Sequence, residues 1–180
     1  MGLTIFDIDG VLTGFTREIF IPCAEEVLGI TLPKDYIPKE WSYAPLVGDS
    51  KTESKVWASS LMNKYILAAK PLPHALEVIQ NNGSCIFITS RGTNGDIERQ
   101  TVTRQWLDNL GLAHIKVYFA HSSEKVKLAL ELGATVAWED YPRTVLDYAD
   151  NGIHVFMPEY GYNSGVNHPL VFHVLGWDYR

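Results

Sequence analysis

Four short groups of polar residues combine carboxylates, hydroxyls and a lysine. Such side chains can bind a hard divalent cation through oxygen, and they can neutralise or hydrogen-bond a phosphoryl group. Each group follows a short apolar run or opens the helix after one. The groups are Asp7-Ile8-Asp9-Gly10, Thr89-Ser90-Arg91-Gly92, Lys125 and Glu139-Asp140. Together they predict a metal-assisted phosphoryl site.

Taken singly, each group also has an ordinary structural interpretation. Asp7 could begin an EF-hand loop, but the fifth and sixth positions of that loop would hold valine and leucine, where an oxygen ligand and a glycine are needed. Thr89-Ser90 could cap a helix and Lys125 could be a solvated helix residue. Glu139-Asp140 could be acidic residues at a helix start. The combination of all four, in this order and at strand ends, favours the phosphoryl site.

The groups lie on a chain in which strands and helices alternate at the spacing of βαβ units. This alternation predicts an α/β fold, a three-layer, doubly wound, Rossmann-like parallel sheet covered by helices on both faces. Ligands gather at the carboxyl ends of such strands, so the four groups are expected to meet at one edge. The predicted strands are 3–6, 85–88, 115–119, 135–138 and 153–156. The predicted helices are about 16–29, 51–67, 74–81, 95–110, 123–132 and 142–149.

Residues 15–70 interrupt the alternation and are interpreted as a small helical cap inserted after the first strand. Residues 1–14 and 71–180 then form the Rossmann-like core. The stretch 31–48 holds three prolines and is expected to be irregular. The region from residue 159 onward is assigned to no element. A cap over the site would exclude water and determine specificity.

Several aromatic residues of the predicted cap are candidates for contact with a substrate. Phe15 and Trp41 lie in loop contexts, so either could stack on a base. Phe20 and Trp57 lie at helical spacing and are expected in the core of the cap instead.

Composition and charge exclude several classes of function. The net charge of −6 gives no general attraction to duplex nucleic acid or to an anionic membrane surface. No apolar run approaches the ~18 residues of a membrane span. The two cysteines, Cys23 and Cys85, fit a reducing compartment, and acidic residues interrupt the first ten positions where a signal peptide would be apolar. The sequence therefore predicts a soluble, cytoplasmic protein and leaves its oligomeric state open.

The four groups resemble, in order, the motifs of the haloacid dehalogenase superfamily of phosphatases. The run Asp7-Ile8-Asp9-Gly10-Val11-Leu12-Thr13 matches the first motif, Thr89 the second, Lys125 the third and Glu139-Asp140 the fourth. The resemblance covers about residues 3–20 and 70–158. It implies a phosphatase with a haloacid dehalogenase-like core.

The resemblance also implies a catalytic role for each motif. Asp7 would be the nucleophile that forms an aspartyl-phosphate, and Asp9 would be the general acid and base. Thr89 would hydrogen-bond the phosphoryl oxygens. Lys125 would neutralise charge, without which a carboxylate attacks a phosphate dianion poorly.

The implied cofactor is Mg²⁺. Asp7, the backbone carbonyl of Asp9 and a carboxylate of the fourth motif, Asp140, would hold it. Gly10 and Glu139 would support this arrangement. A sparse carboxylate set completed by substrate oxygen and water is what Mg²⁺ prefers.

The nearest resemblance is to the 5'(3')-deoxyribonucleotidases and similar small proteins. Their first motif runs on to an aromatic residue eight positions past the nucleophile, here Phe15, and they share a turn of the type Pro71-Leu72-Pro73. The chain departs from them at Glu139, where they have aspartate, and at Arg91-Gly92, where they have proline. The run Thr89-Ser90-Arg91 is similar to the phosphatase part of polynucleotide kinases, which makes Ser90 and Arg91 candidates for binding the substrate.

The resemblance therefore implies a phosphatase whose substrate is a small phosphomonoester, a nucleoside (deoxy)monophosphate. The alternatives are another small phosphoester, the 3'-phosphate end of a polynucleotide, and a module that binds phosphate without turnover.

Overall fold

A computed structural model of the protein describes residues 2–175. Its centre is a six-stranded sheet in which all neighbouring strands are parallel, in the order β3-β2-β1-β4-β5-β6. The strands are β1 (Leu3–Phe6), β2 (Cys85–Thr89), β3 (Val117–Phe119), β4 (Ala134–Trp138), β5 (His154–Pro158) and β6 (Val171–Val174). The five predicted strands are confirmed within two residues at each end. The sixth lies in the C-terminal region that the sequence pattern left unassigned.

Helices cover both faces of this sheet. They are α1 (Ile21–Leu28), α2 (Ala44–Val47), α3 (Ser50–Trp57), α4 (Leu61–Ala68), α5 (Ala75–Gln80), α6 (Ile97–Asn109), α7 (Ser122–Glu131) and α8 (Pro142–Asp150). A π-helical turn, Thr16–Phe20, runs directly into α1. Among residues 2–175, no helix has both the length and the apolar character needed to cross a membrane.

Alternating side chains of the central strands enter two separate cores. Phe6, Phe87 and Trp138 belong to one buried cluster, whereas Ile5 and Ala137 belong to the other. Since successive residues of a strand point to opposite faces, each face of the sheet has its own core. This arrangement confirms the predicted doubly wound α/β architecture.

Two predictions about residues 15–70 are wrong in detail. The single helix predicted over 51–67 is divided into α3 and α4, because Ser59 accepts a hydrogen bond from the N–H of Leu61 at 3.2 Å and so competes with continuous helix. The stretch 31–48, predicted to be irregular, contains α2. That helix follows Tyr43, whose N–H donates to Glu53 of α3 at 2.8 Å.

Hydrogen bonds connect residues 15–70 to the rest of the chain. The indole N–H of Trp106 in α6 donates to the carbonyl of Ala69 at 2.8 Å, and the hydroxyl of Thr13 donates to the carbonyl of Lys70 at 3.0 Å. α4 packs against α6. The division into a core and a separate cap stays a prediction.

Candidate active site

The predicted groups meet at the carboxyl edge of the sheet. Asp7 directly follows β1, and its N–H donates to Trp138 at the end of β4, at 2.9 Å. Lys125, on the first turn of α7, places its Nζ 3.0 Å from Asp7 Oδ1 and 2.8 Å from Glu139 Oε2. Parallel strands produce this convergence, because all their carboxyl ends lie on one side of the sheet. The structure therefore brings the first, third and fourth groups into contact.

Asp7, Lys125, Glu139 and Asp140 form a buried charged cluster with more carboxylates than cations. Its three acidic residues each offer an oxygen within 4.8 Å of the others. Burial raises the pKa of Asp7 to about 7, the charge of Glu139 adds to that shift, and Lys125 opposes it. Burial also raises the pKa of Asp140 well above its usual range, again with Glu139 adding to it. Such a cluster is stabilised by a further cation.

The two acidic residues after β4 make different contacts. Glu139 accepts from Lys125 through Oε2, and through Oε1 from the N–H groups of Asp140 (3.2 Å) and Tyr141 (3.1 Å). Asp140 Oδ1 is buried and accepts no hydrogen bond from the residues that the structure describes. A buried oxygen without a donor is suited to a hard cation. The cluster thus fits a divalent metal, and Asp140 has the oxygen free to bind it.

Lys125 is protonated in this environment. Burial alone would lower its pKa, but the carboxylates of Asp7 and Glu139 together raise it above its ordinary value. Tyr148 of α8 is close enough to Lys125 to interact with its charge, and its buried hydroxyl has no hydrogen-bond partner among the described residues.

Asp9 is held by Arg91. The Arg91 Nε donates to Asp9 Oδ2 at 2.9 Å and its Nη2 donates to Asp9 Oδ1, while the guanidinium lies 5.0 Å from the ring centre of Trp106. The third nitrogen, Nη1, is buried and has no acceptor among the residues that are described. Two of the donors predicted to meet the substrate are therefore occupied by Asp9.

The two hydroxyl residues at the end of β2, Thr89 and Ser90, directly precede Arg91. Thr89 is buried, and its Oγ1 accepts from the N–H of Arg91 at 3.2 Å. The Ser90 hydroxyl donates to the carbonyl of Ala120 at 3.2 Å. Both residues line the same cavity as the charged cluster.

Gly10 allows the loop after β1 to pass directly over the cluster. Its φ of +75° favours glycine, and a Cβ there would lie 2.0 Å from Asp140 Oδ2. A side chain at this position would therefore displace the carboxylate of Asp140.

The cavity has a volume of about 550 Å³, and both the core and residues 15–70 line it. Its charged base is the cluster with Asp9. Eight of the other lining residues are aromatic, and this set is called the aromatic wall below. The wall consists of Phe15, Tyr36, Trp41, Tyr43, Trp57, Tyr141, Tyr160 and Tyr162.

The aromatic residues named from the sequence differ in exposure. Phe15 is only 9% exposed, and its ring stacks on Trp57 at 5.1 Å. Trp41 is 51% exposed and packs against Tyr141 (4.4 Å between ring centres) and Tyr162 (5.2 Å). Phe20 is buried as predicted. The same prediction is wrong for Trp57, which is 37% exposed and lines the cavity, because its helix ends there.

Sequence reasoning missed the residues that follow β5. The Tyr160 hydroxyl donates to the carbonyl of Gly10 at 2.7 Å, and the Tyr162 hydroxyl donates to Asp140 Oδ2. The buried Asn163 donates to the carbonyl of Asp140 at 2.9 Å. The signal was available: these residues follow a strand of the parallel sheet, as the four predicted groups do.

Comparison with known proteins identifies the fold. No protein-family model matches the chain, and no curated protein matches it in sequence. Solved structures of haloacid dehalogenase (HAD) proteins share its architecture over nearly the whole chain. A HAD-family hydrolase of Deinococcus radiodurans R1, solved with bound phosphate and sodium, is 15% identical with a TM-score of 0.58, covering 94% of this chain and 84% of that one. A HAD-superfamily hydrolase of subfamily IA, variant 1, from Geobacter sulfurreducens is 13% identical with a TM-score of 0.58, covering 98% and 93%.

Another solved structure with this fold has a different named activity. The protein tyrosine kinase A of Mycobacterium tuberculosis is 16% identical with a TM-score of 0.63, covering 96% of this chain and 92% of that one. At sequence identities this low, the structural similarity establishes the shared HAD-like Rossmann fold and nothing about the activity. The activity has to be argued from the site, since one fold carries many functions.

Proposed function

We propose that the protein is a phosphatase that hydrolyses phosphomonoesters with the help of a divalent cation, Mg²⁺. One observation carries the proposal: a buried nucleophile candidate, Asp7, lies 3.0 Å from Lys125, beside a carboxylate oxygen of Asp140 that has no donor within residues 2–175. Asp9 stands two residues further on, at the same cavity. The HAD hydrolases with this fold support the class of reaction.

In the proposed reaction Asp7 is the nucleophile and Asp9 is the general acid and base. An oxygen of Asp7 attacks phosphorus, the bond from phosphorus to the ester oxygen breaks, and Asp9 gives a proton to the departing oxygen. Water then attacks the aspartyl-phosphate and Asp9 takes its proton, which releases phosphate and restores the Asp7 carboxylate. Thr89 and Lys125 bind the phosphoryl oxygens during both steps, and Arg91 orients Asp9.

Asp7, the backbone carbonyl of Asp9 and Asp140 would hold the Mg²⁺. When bound, the ion neutralises negative charge on the phosphoryl group, so that a carboxylate can approach it. Glu139 would stay bound to Lys125 and the backbone, which keeps Lys125 directed at Asp7.

The substrate in this proposal is a nucleoside (deoxy)monophosphate. Residues 15–70 act as a cap, and the aromatic wall they share with the core offers ring faces to a base. Trp41 is suited to such stacking because half of its surface is exposed. Phe15, which also lines the cavity, would contribute through the 9% of its surface that is exposed.

A panel of phosphorylated metabolites, assayed with and without Mg²⁺, tests the proposal. Release of phosphate from nucleoside monophosphates, lost with EDTA and in Asp7→Asn, is the expected result. Preference for a phosphosugar or for a 3'-phosphorylated oligonucleotide would keep the phosphatase and replace its substrate. Phosphate binding without turnover of any ester would overturn the enzymatic function.

A further inference from the structure

Residues 160–163, a short segment after β5, reach back to two loops of the site. Tyr160 donates to the carbonyl of Gly10, Tyr162 donates to Asp140 Oδ2, and Asn163 donates to the carbonyls of Asp140 and Pro158. The segment is itself fixed, because Asn163 Oδ1 accepts from the N–H of Tyr160 at 2.7 Å. The proposed function uses only the rings of Tyr160 and Tyr162, as part of the aromatic wall, and gives no role to their hydroxyls or to Asn163.

The hydrogen bond from Tyr162 makes the two oxygens of Asp140 unequal. Oδ2 accepts from the phenol, whereas Oδ1 is buried with no donor among the described residues, on a residue only 2% exposed. Turning the carboxylate out of this orientation would break the bond to Tyr162. The phenol therefore fixes the plane of the carboxylate and leaves one oxygen for a cation.

We propose that Tyr162 is a positioning residue that holds the Asp140 carboxylate with Oδ1 directed toward the metal. Tyr160 and Asn163 would keep the backbone of Gly10 and Asp140 in place around it. The inference rests on the proposed function, because it takes the acidic cluster to hold a divalent cation. Partners that orient metal ligands typically change metal affinity by 10–100-fold.

Tyr162→Phe tests the inference with little disturbance of packing. The ring stays in place, stacked on Tyr160 at 5.4 Å and touching the edge of Trp41, and only the hydroxyl is removed. Tyr65→Phe is the matched control, since the Tyr65 hydroxyl also donates to a carboxylate, that of Glu26, but on an exposed surface. The probe is Mn²⁺, which prefers the same oxygen ligands, with the free ion counted by electron paramagnetic resonance.

We expect Tyr162→Phe to bind Mn²⁺ about tenfold more weakly, or worse, and Tyr65→Phe to bind it as the wild type does. Binding by Tyr162→Phe that is unchanged or tighter would overturn the inference and leave the phosphatase proposal intact. A wild type that binds no Mn²⁺ would instead contradict the metal site on which both proposals depend.

A double-mutant cycle separates positioning from general packing. If Tyr162 acts through Asp140, Tyr162→Phe should not change the midpoint of thermal unfolding in an Asp140→Ala background. A loss of stability in that background would assign the hydroxyl a structural role and overturn the inference. This measurement decides the question even where Tyr162→Phe alone lowers the stability of the protein.

Discussion

The charged cluster and the aromatic wall lie in one cavity, but they are built by different parts of the chain. The cluster comes from residues at strand ends and on the first turn of α7, and buried contacts of 2.8 and 3.0 Å around Lys125 fix it. Much of the wall comes from residues 15–70, and its members range from 9% exposed at Phe15 to 51% at Trp41. In the proposed function the strand ends thus supply the chemistry in a fixed geometry, and residues 15–70 supply much of the surface that contacts the rest of the substrate.

This contrast predicts that changes in the cluster abolish the reaction with any ester. Asp7→Asn should lower kcat by roughly 10³-fold or more, because an amide cannot form the acyl-phosphate. The measurement is phosphate release from both p-nitrophenyl phosphate and a nucleoside monophosphate. Asp108→Asn, on an exposed position of α6, is the control and should behave as wild type. Activity of Asp7→Asn within about tenfold of wild type would exclude Asp7 as the nucleophile.

Within the cluster, substitution of Asp140 should mainly affect the Mg²⁺ requirement, whereas substitution of Glu139 should mainly affect the free energy of unfolding. Asp140→Ala should raise the Mg²⁺ concentration needed for half-maximal activity by about tenfold or more, because Oδ1 is the oxygen proposed to bind the ion. Glu139→Ala should affect this concentration less. It leaves Asp7 as the buried partner of Lys125 and removes the acceptor of two N–H groups, so it should lower the free energy of unfolding by roughly 1–3 kcal/mol. Metal titrations and denaturant unfolding distinguish the two variants. An equal or greater loss of metal activation in Glu139→Ala would reverse the assignment.

Arg91 belongs to neither the cluster nor the wall, and the effect of replacing it should depend on the leaving group. If it orients Asp9 as a general acid, Arg91→Gln should reduce kcat/KM for an alkyl phosphate about tenfold more than for p-nitrophenyl phosphate. The nitrophenolate departs readily without a proton, so it needs Asp9 less. Arg91→Lys keeps the charge but loses the bidentate contact with Asp9. Its kcat/KM for the alkyl phosphate should lie between those of wild type and Arg91→Gln. Equal losses on both esters would show that Arg91 binds the phosphoryl group itself.

Substitutions in the aromatic wall should have the smallest effects on kcat/KM. These effects should appear with a nucleoside monophosphate and not with p-nitrophenyl phosphate. Trp41→Ala should reduce kcat/KM for a nucleoside monophosphate by about 5- to 150-fold, the range of ~1–3 kcal/mol of stacking, and leave p-nitrophenyl phosphate unaffected. Phe15→Ala should show the same selectivity with an added loss of stability, since its ring is packed on Trp57. Phe172→Ala is the control, because Phe172 is 44% exposed and lies outside the cavity lining. Equal losses on both substrates would make these side chains structural.

The same contrast explains which features could be predicted from the sequence. The sequence was enough to predict that Asp7, Lys125 and Glu139-Asp140 lie close together. A parallel sheet brings the carboxyl ends of its strands to one edge, so the local pattern around each residue places it there. The fold class was predicted for the same reason. The first and last residues of individual helices were predicted less accurately, as the break between α3 and α4 at Ser59 shows.

Contacts between distant parts of the chain could not be predicted. Arg91 and Asp9 are 82 positions apart, and Tyr160 and Gly10 are 150 apart. The sequence gives the side-chain types at both ends of such a bond, but the pairing depends on how loops pack above the sheet. Arg91 lines the cavity, where contact with a substrate stays a prediction, but its bond to Asp9 could not be predicted from the sequence. β6 was missed although Leu170-Val171-Phe172-His173-Val174 is a short, largely apolar run, because no helical pattern precedes it to continue the βαβ alternation.

The central claim, that Asp7 becomes phosphorylated, can be measured directly. The enzyme is mixed with excess substrate and Mg²⁺, quenched in acid within milliseconds, digested and analysed by tandem mass spectrometry. We predict one added phosphoryl group on the peptide that contains Asp7, lost on treatment with hydroxylamine and missing from Asp7→Asn and from samples with EDTA. Rapid release of phosphate with no phosphoryl group on Asp7, or a phosphoryl group on another residue, would contradict the account.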